Sequence, residues 1–275
     1  MPSNAPNEHQ FPAKLLLFGE YTIINGGSAL AIPYDKHHGQ WQEGSKTSEL
    51  GDFYSHLKNL EGCLPEKVVK AEKNNWYFKS DIPLGYGLGS SGAISAAAYA
   101  AFFREEDLAL VALKNRLSEI ESFFHGRSSG LDPLVCYTGM AVHINDGQIN
   151  LLKPPQLPPQ LTLYDSGIKR NGKPLIKYYL DRLEVDEAFD EVVVALDNFN
   201  ERIISELLGG EDITASFKEI SRLQLRHFQH MIPEKVLEHW QQGLETDSHY
   251  MKLAGAGGGG SFLLYTLSWF YEYIG

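Results

Sequence analysis

Cysteine is scarce in this chain: Cys63 and Cys136 are the only two in 275 residues. They show neither metal-ligand nor redox-motif spacing, and read as buried or incidental thiols. Positive charge is also short. Lys and Arg number 24 against 35 Asp and Glu, for a net charge of −11, which argues against non-specific nucleic-acid binding because that needs a basic footprint. No apolar run reaches the ~20 residues that span a bilayer. Residues Met1 to Gln10 are polar and lack the apolar core of a signal peptide. A cytoplasmic, reducing location is the expectation that follows. His37-His38 has no third ligand at a useful spacing, so no metal is expected there. Internal repeats and low-complexity tracts are missing too.

What is present is an ordinary globular balance, 43% hydrophobic and 21% charged, in a length that suits one large domain or two moderate ones. The dominant feature is the stretch from Ile82 to Ala93. Gly85, Gly87 and Gly89 alternate with Tyr86 and Leu88. Ser90, Ser91 and Gly92 follow, then a run of small helix formers. Glycine lets a backbone adopt positive φ and approach a ligand closely. A helix start offers unpaired N–H groups and the positive end of the helix dipole. Together they form an anion site suited to phosphate. The plainer alternative is a turn before an Ala-rich core helix.

The surroundings favour the phosphate loop. Trp76 to Ser80 reads as a strand leading into it, and strand, glycine loop, helix is the order a phosphate-binding loop requires. Upstream, Lys14 to Phe18 reads as a buried strand. Asn25-Gly26 between apolar runs signals a hairpin to a second strand, Ser28 to Ile32. His37 to Leu50 is polar and reads as a loop, and Phe53 to Leu64 as a helix. Downstream, the loop helix runs to about Phe103. Glu106 to Phe124 carries helical periodicity, broken after His125 by glycine and serine. Gly139 to Ile144 reads as a strand with a turn at Asp146-Gly147. Pro154-Pro155 and Pro158-Pro159 mark a stiff segment, the candidate boundary between domains 1–157 and 158–275. Beyond it come a strand from Leu161 to Tyr164 and helical stretches over 176–208, 213–226 and 235–244. A glycine loop, Gly257 to Gly260, then precedes the strand Phe262 to Tyr265.

Phosphoryl transfer needs a cradle for phosphates, a bridging metal, and a group that orients or deprotonates the acceptor hydroxyl. Each has a candidate. Ser91 either binds Mg²⁺ through its hydroxyl or caps the helix. Glu121 is a hard oxygen donor for Mg²⁺ or a surface carboxylate. Asp132 is a general base or a turn residue before Pro133. Lys14 pairs with Asp132 and stabilises transition-state charge, or is an edge-strand lysine.

Three stretches in order carry a family resemblance: Pro12 to Tyr21 with Lys14, Gly19 and Glu20; the loop 82–93; and Lys252 to Ser261. The chain resembles the GHMP small-molecule kinases over nearly its whole length. His125-Gly126-Arg127-Ser128-Ser129-Gly130-Leu131-Asp132 is similar to the mevalonate kinase pattern His-Gly-x-Pro-Ser-Gly-x-Asp, with a Glu four residues before the His. Asp165 to Lys173 resembles a further mevalonate kinase stretch.

The resemblance implies an α+β fold in two parts. The first is like domain 2 of ribosomal protein S5 and the second is ferredoxin-like, with ATP over the glycine loop. It implies Asp132 as base with Lys14 beside it, and Mg²⁺ on Ser91 and Glu121. Nucleotide would lie on Gly85, Gly87, Leu88, Gly89, Ser90, Ser91 and Gly92. The acceptor would lie near Glu20, Tyr21, Lys169, Arg170 and Gly257. The implied activity is ATP-dependent phosphorylation of a small alcohol, mevalonate first, in isoprenoid precursor synthesis. The sequence departs from the mevalonate kinase pattern in three places. Tyr21 stands where His is usual and looks like the bacterial phosphomevalonate kinases, Ser128 stands for Pro, and Gly172 for Thr. Phosphomevalonate kinase, a diphosphomevalonate decarboxylase-like lyase and a non-catalytic relative are the alternatives. The expected partners are small molecules, not nucleic acid or membrane, and a homodimer stays open.

Overall fold

A computed structural model describes residues 9–44, 49–104, 107–170 and 172–267. In chain order the elements are β1 (Phe11–Phe18), a 3-10 turn (Thr22–Asn25), β2 (Ala29–Glu43), α1 (Gly51–Lys58), α2 (Pro65–Lys73), β3 (Trp76–Ser80), α3 (Ser90–Phe102), α4 (Leu110–His125), α5 (Leu131–Thr138), β4 (Ala141–Asn145), β5 (Gln148–Leu152), β6 (Leu161–Asp165), α6 (Gly172–Val185), α7 (Glu187–Gly209), α8 (Thr214–His227), a 3-10 turn (Gln229–Met231), α9 (Glu234–Thr246), β7 (His249–Leu253) and β8 (Ser261–Thr266). The class is α+β, as expected. One sheet has the order β1-β2-β4-β5 with β3 also paired to β2, and a second has the order β6-β8-β7.

The chain divides into two compact units. One comprises the described residues up to Leu15 with Ala31–Pro83 and Leu88–Val142. The other comprises Leu16–Leu30, Leu84–Gly87 and the described residues from His143 onward. These units interleave in sequence. The reason is that β1, β2 and the glycine loop each run from one unit into the other.

In the first unit α3 is buried along nearly its whole length, from Gly92 to Tyr99 and again at Phe102. Its small side chains are what permit α4 and α5 to pack against it at interior density. Trp41 donates its indole N–H to the Ala97 carbonyl at 3.0 Å, and its ring sits against Tyr54, Phe78 and Phe102. In the second unit β8 lies between β6 and β7, with Leu163 opposite Leu263 and Lys252 opposite Leu263 on the other side. Helix α8 is tied to β7 by side chains rather than by apolar contact alone. The Met251 and Leu253 N–H groups donate to Ser221 Oγ and Gln224 Oε1 at 3.2 and 2.9 Å.

Several expectations change. Between β1 and β2, where an Asn-Gly hairpin turn was expected, Thr22–Asn25 forms a 3-10 turn. Residues 37–43, expected as loop, continue β2, because Gly39 to Glu43 pair with Ser80 to Trp76 of β3. Gly39 is needed there, since any Cβ would run into the Phe78 ring. The helix expected from Phe53 ends at Lys58, and a separate helix begins at Pro65, at a first-turn position where its missing N–H costs nothing. The stretch 176–208 is two helices, divided where Asp186 accepts the Phe189 N–H as a cap. Glu106, the expected start of α4, lies outside the described residues, as does Asn171.

Candidate active site

Within the first unit, the loop turns into α3 at Gly89, whose φ of 73° is left-handed. Gly92 faces α5 so closely that a Cβ would lie 2.9 to 3.0 Å from Asp132 and the Pro133 nitrogen. This approach brings Asp132, in the first turn of α5, beside the loop. The Lys14 N–H donates to the Leu88 carbonyl at 2.9 Å, which fixes β1 to the loop. The Lys14 ammonium then lies 2.8 Å from Asp132 Oδ2. Lys14 is 7% exposed and Asp132 30%, so the lysine is walled in while the carboxylate stays reachable. Asp132 is therefore held by a cation and open to a small molecule. The two residues expected to act together are together.

Glu121 comes from the buried face of α4, with 4% exposure. Ser91 Oγ donates to its Oε1 at 2.8 Å and Ser128 Oγ to its Oε2 at 2.5 Å. Burial, and secondarily the Asp132 charge, push the Glu121 carboxyl up to about 7, against the hydrogen bonds from Ser128 and Ser91. A carboxylate this costly to ionise gains from a cation. The donor set, one carboxylate and one hydroxyl, is all oxygen and fits Mg²⁺, which takes one or two carboxylates and leaves other positions to phosphate and water. Among the described residues no group of three or more His, Cys, Asp or Glu forms a self-sufficient metal cage. His125, four residues after Glu121 and so on the same helix face, has Nε2 3.0 Å from Ser91 Oγ. His125 and Ser128 were missed as site residues. The only signal was that both fall inside the motif that ends at Asp132.

The second unit holds the residues expected to meet the acceptor. Glu20 is not a free carboxylate: it is 2% exposed and forms an ion pair of 2.5 Å with Lys252. It also accepts from Gln224 Nε2 at 2.5 Å. Lys252 is fully buried and donates to the Leu17 and Leu253 carbonyls at 2.8 and 2.7 Å. Burial pulls its ammonium pKa down and Glu20 holds it up. Neither partner of Glu20 was anticipated.

Tyr21 sits at φ 67°, unusual for a side chain of its size. Its hydroxyl donates to the Ala256 carbonyl at 2.6 Å, and its ring packs on Tyr179 and Phe228. Burial pushes the phenol pKa well up. The Arg170 N–H donates to the Gly85 carbonyl at 3.1 Å. Its guanidinium lies where a Cβ on Gly87 or on Gly255 would have to go. Lys169 is exposed, with its stem against Gly85. Gly257 packs on the Met231 carbonyl, which also accepts the Gly258 N–H at 2.7 Å. Thus Gly85, Gly87, Arg170, Tyr21 and the 255–260 loop form one neighbourhood in that unit, while Leu88, Gly89, Ser90, Ser91 and Gly92 belong to the other.

Comparison with known proteins bears on this arrangement. Residues 55–140, which include the loop, α3, Glu121 and Asp132, match the family described as the GHMP kinases N terminal domain. A curated relative, the mevalonate kinase of Thermococcus onnurineus, is 24% identical over 298 residues, covering 90% of this chain and 86% of that protein. The solved L. major mevalonate kinase in complex with R-mevalonate is 15% identical, with a TM-score of 0.65, covering 98% of this chain and 90% of that one. The Streptococcus pneumoniae phosphomevalonate kinase, in complex with phosphomevalonate and AMPPNP, is 13% identical with a TM-score of 0.64, covering 94% and 91%. Residues 55–140 thus match the GHMP kinases N terminal domain, and over most of its length the chain is similar to mevalonate kinases and shares their fold.

Proposed function

We propose that the protein transfers the γ-phosphoryl group of ATP to the hydroxyl of a small hydroxy acid, with mevalonate as the first-choice acceptor. The observation that carries this reading is the Lys14–Asp132 pair at 2.8 Å, set at the start of α3 beside Glu121 and Ser91. Asp132 Oδ accepts the proton of the acceptor hydroxyl as its oxygen bonds to the γ-phosphorus, and the bond from that phosphorus to the β-bridging oxygen breaks, leaving ADP. Lys14 keeps Asp132 ionised and stabilises negative charge on the transferring group. The N-terminal N–H groups of α3, with Gly85 to Gly92, cradle the phosphates. Glu121 and Ser91 would hold Mg²⁺, which would supply charge neutralisation to the bound phosphates. Arg170 is the proposed clamp for the acceptor carboxylate, since its planar guanidinium suits bidentate recognition.

Phosphomevalonate is the second reading for the acceptor. Tyr21 favours it, standing where mevalonate kinases usually carry His. The test is a coupled ADP-release assay with mevalonate, phosphomevalonate, homoserine and several sugars. Turnover with mevalonate alone supports the first reading and turnover with phosphomevalonate alone the second. No ATP-dependent turnover with any hydroxy acid refutes both.

A further inference from the structure

The loop between α4 and α5 contains the one position in the Asp132 motif where this chain puts a hydroxyl in place of the proline of the related pattern. Ser128 uses that hydroxyl twice. It donates to Glu121 Oε2 at 2.5 Å and accepts the Gly130 N–H at 2.9 Å. The loop carrying it is clamped onto α4 from several sides. Ser118 Oγ donates to the Ser128 carbonyl at 2.6 Å, and Lys114 Nζ to the Ser129 carbonyl at 2.7 Å. Gly130, at φ 73°, lies so close that a Cβ there would strike the Lys114 carbonyl. The hydroxyl is therefore fixed in place before it reaches Glu121. Proline has no donor and cannot make this bond.

The two oxygens of Glu121 are consequently distinguished. Oε1 is on the Ser91 side and Oε2 is on the Ser128 side. Resting on the Mg²⁺ reading above, we propose that Ser128 is a positioning residue: it holds Glu121 through Oε2, and so presents Oε1 together with Ser91 Oγ to the divalent cation of the bound nucleotide. A carboxylate oriented from behind loses less side-chain freedom when it takes a cation, and removing such a partner typically costs about 10- to 100-fold in metal affinity. Ser128 touches no reacting atom, and its effect passes through Glu121.

The experiment is a titration of Mn²⁺ into the protein with ADP, following bound Mn²⁺ by electron paramagnetic resonance. Affinity for metal-free ADP and thermal stability are measured alongside. Ser128→Ala should weaken Mn²⁺ binding about 10-fold, with metal-free ADP affinity and melting temperature close to wild type. Ser128→Thr, which keeps the hydroxyl, should restore binding to within about 2-fold. Unchanged Mn²⁺ affinity in Ser128→Ala overturns the proposal. So does a parallel fall in melting temperature, ADP affinity and Mn²⁺ affinity, which would mean that Ser128 only shapes the loop. Glu121→Gln separates the two levels of the argument. If it abolishes Mn²⁺ binding while Ser128→Ala does not, the positioning role alone is wrong. If it changes nothing, the assignment of Glu121 to the metal falls, and the role of Ser128 falls with it.

Discussion

Lys252→Met offers a severe test of how the second unit is held together. The Lys252 ammonium has no exposure and three partners: Glu20, the Leu17 carbonyl and the Leu253 carbonyl. Methionine fills a similar volume but leaves Glu20 buried beside the uncharged Gln224. Removing one partner of a buried ion pair costs about 3–5 kcal/mol, because the other charge stays behind uncompensated. The stranded carbonyls add about 1–3 kcal/mol each when nothing replaces their donor, although such costs overlap among groups in one network. A loss of about 4–6 kcal/mol follows, a large part of the 5–15 kcal/mol that ordinarily separates folded from unfolded chains. At about 2–4 °C per kcal/mol for larger domains, melting should fall by roughly 10–20 °C.

The comparison mutant is Lys177→Met. Lys177 pairs with Asp181 on α6 with both side chains largely exposed, and its loss should cost no more than about 0.5 kcal/mol. The double variant Glu20→Gln with Lys252→Met should lose less than the sum of its parts, since the charge that made each single change costly is gone. Urea unfolding and calorimetry of five proteins measure this: wild type, Lys177→Met, Lys252→Met, Glu20→Gln and the double variant. If Lys252→Met melts alongside Lys177→Met, or the double variant is additive, the pair does not anchor the fold and the reasoning is refuted.

Asp132→Asn should lower kcat by about 10²–10⁴ with ATP affinity nearly intact, and Lys14→Met similarly. The double variant should lose far less than the product of the two, as residues acting as a unit do. Wild-type turnover in Asp132→Asn would make it a turn residue only. Gly92→Ala places a methyl against Asp132 and Pro133 backbone atoms. It should cost about 1–3 kcal/mol by overpacking and slow phosphoryl transfer by moving Asp132; unchanged stability and rate would mean that α5 yields freely. His239 and His249 stack at 4.2 Å, and burial lowers both pKa values. Groups lowered in the folded state leave the unfolded chain holding more protons below pH 6.5, so stability should fall as pH drops from 6.5 towards their folded values. His249→Gln should flatten that slope in urea midpoints taken at pH 7.5, 6.5 and 5.5, and an unchanged slope would remove this pair from the acid response.

Sequence reading reached the elements whose signal is local. β3, the glycine loop and α3 follow one another within 30 residues, and each has its own pattern of apolar, glycine and alanine positions. The second half of β2 was invisible for a physical reason. His37, His38, Gly39 and Gln40 carry no apolar alternation, and from Gly39 onward the segment is strand because β3 pairs with it. Helix α5 was hidden differently. It is eight residues long, lies between Gly130 and Gly139, both at left-handed φ, and contains Pro133, so it is too short for a period to register and is bracketed by breakers. The α7 cap at Asp186 was readable in principle, since Asp before a helix accepts an N–H three residues on.

The site divides along the same line. Lys14, Ser91, Glu121 and Asp132 were legible as residue types in motifs, and the fold brings them within hydrogen-bonding reach of one another or of a shared neighbour. Glu20 was legible as a motif residue but not as a buried ion. Its partner Gln224 is 204 positions away, and Lys252 belongs to another motif, so no local pattern signals either bond. This changes what Glu20 does. It stands next to Tyr21, whose backbone is held at φ 67° and whose hydroxyl donates to Ala256. Lys252 is the next-to-last residue of β7, just before the loop that contains Ala256 and Gly257. The Glu20–Lys252 pair thus joins the turn that carries Tyr21 to the strand that leads into this loop. Two of the residues proposed to meet the acceptor, Tyr21 and Gly257, depend on a carboxylate that is itself shut away from solvent. A change in acceptor preference from Glu20→Gln should therefore arise through the position of Tyr21, with the melting temperature falling in the same variant.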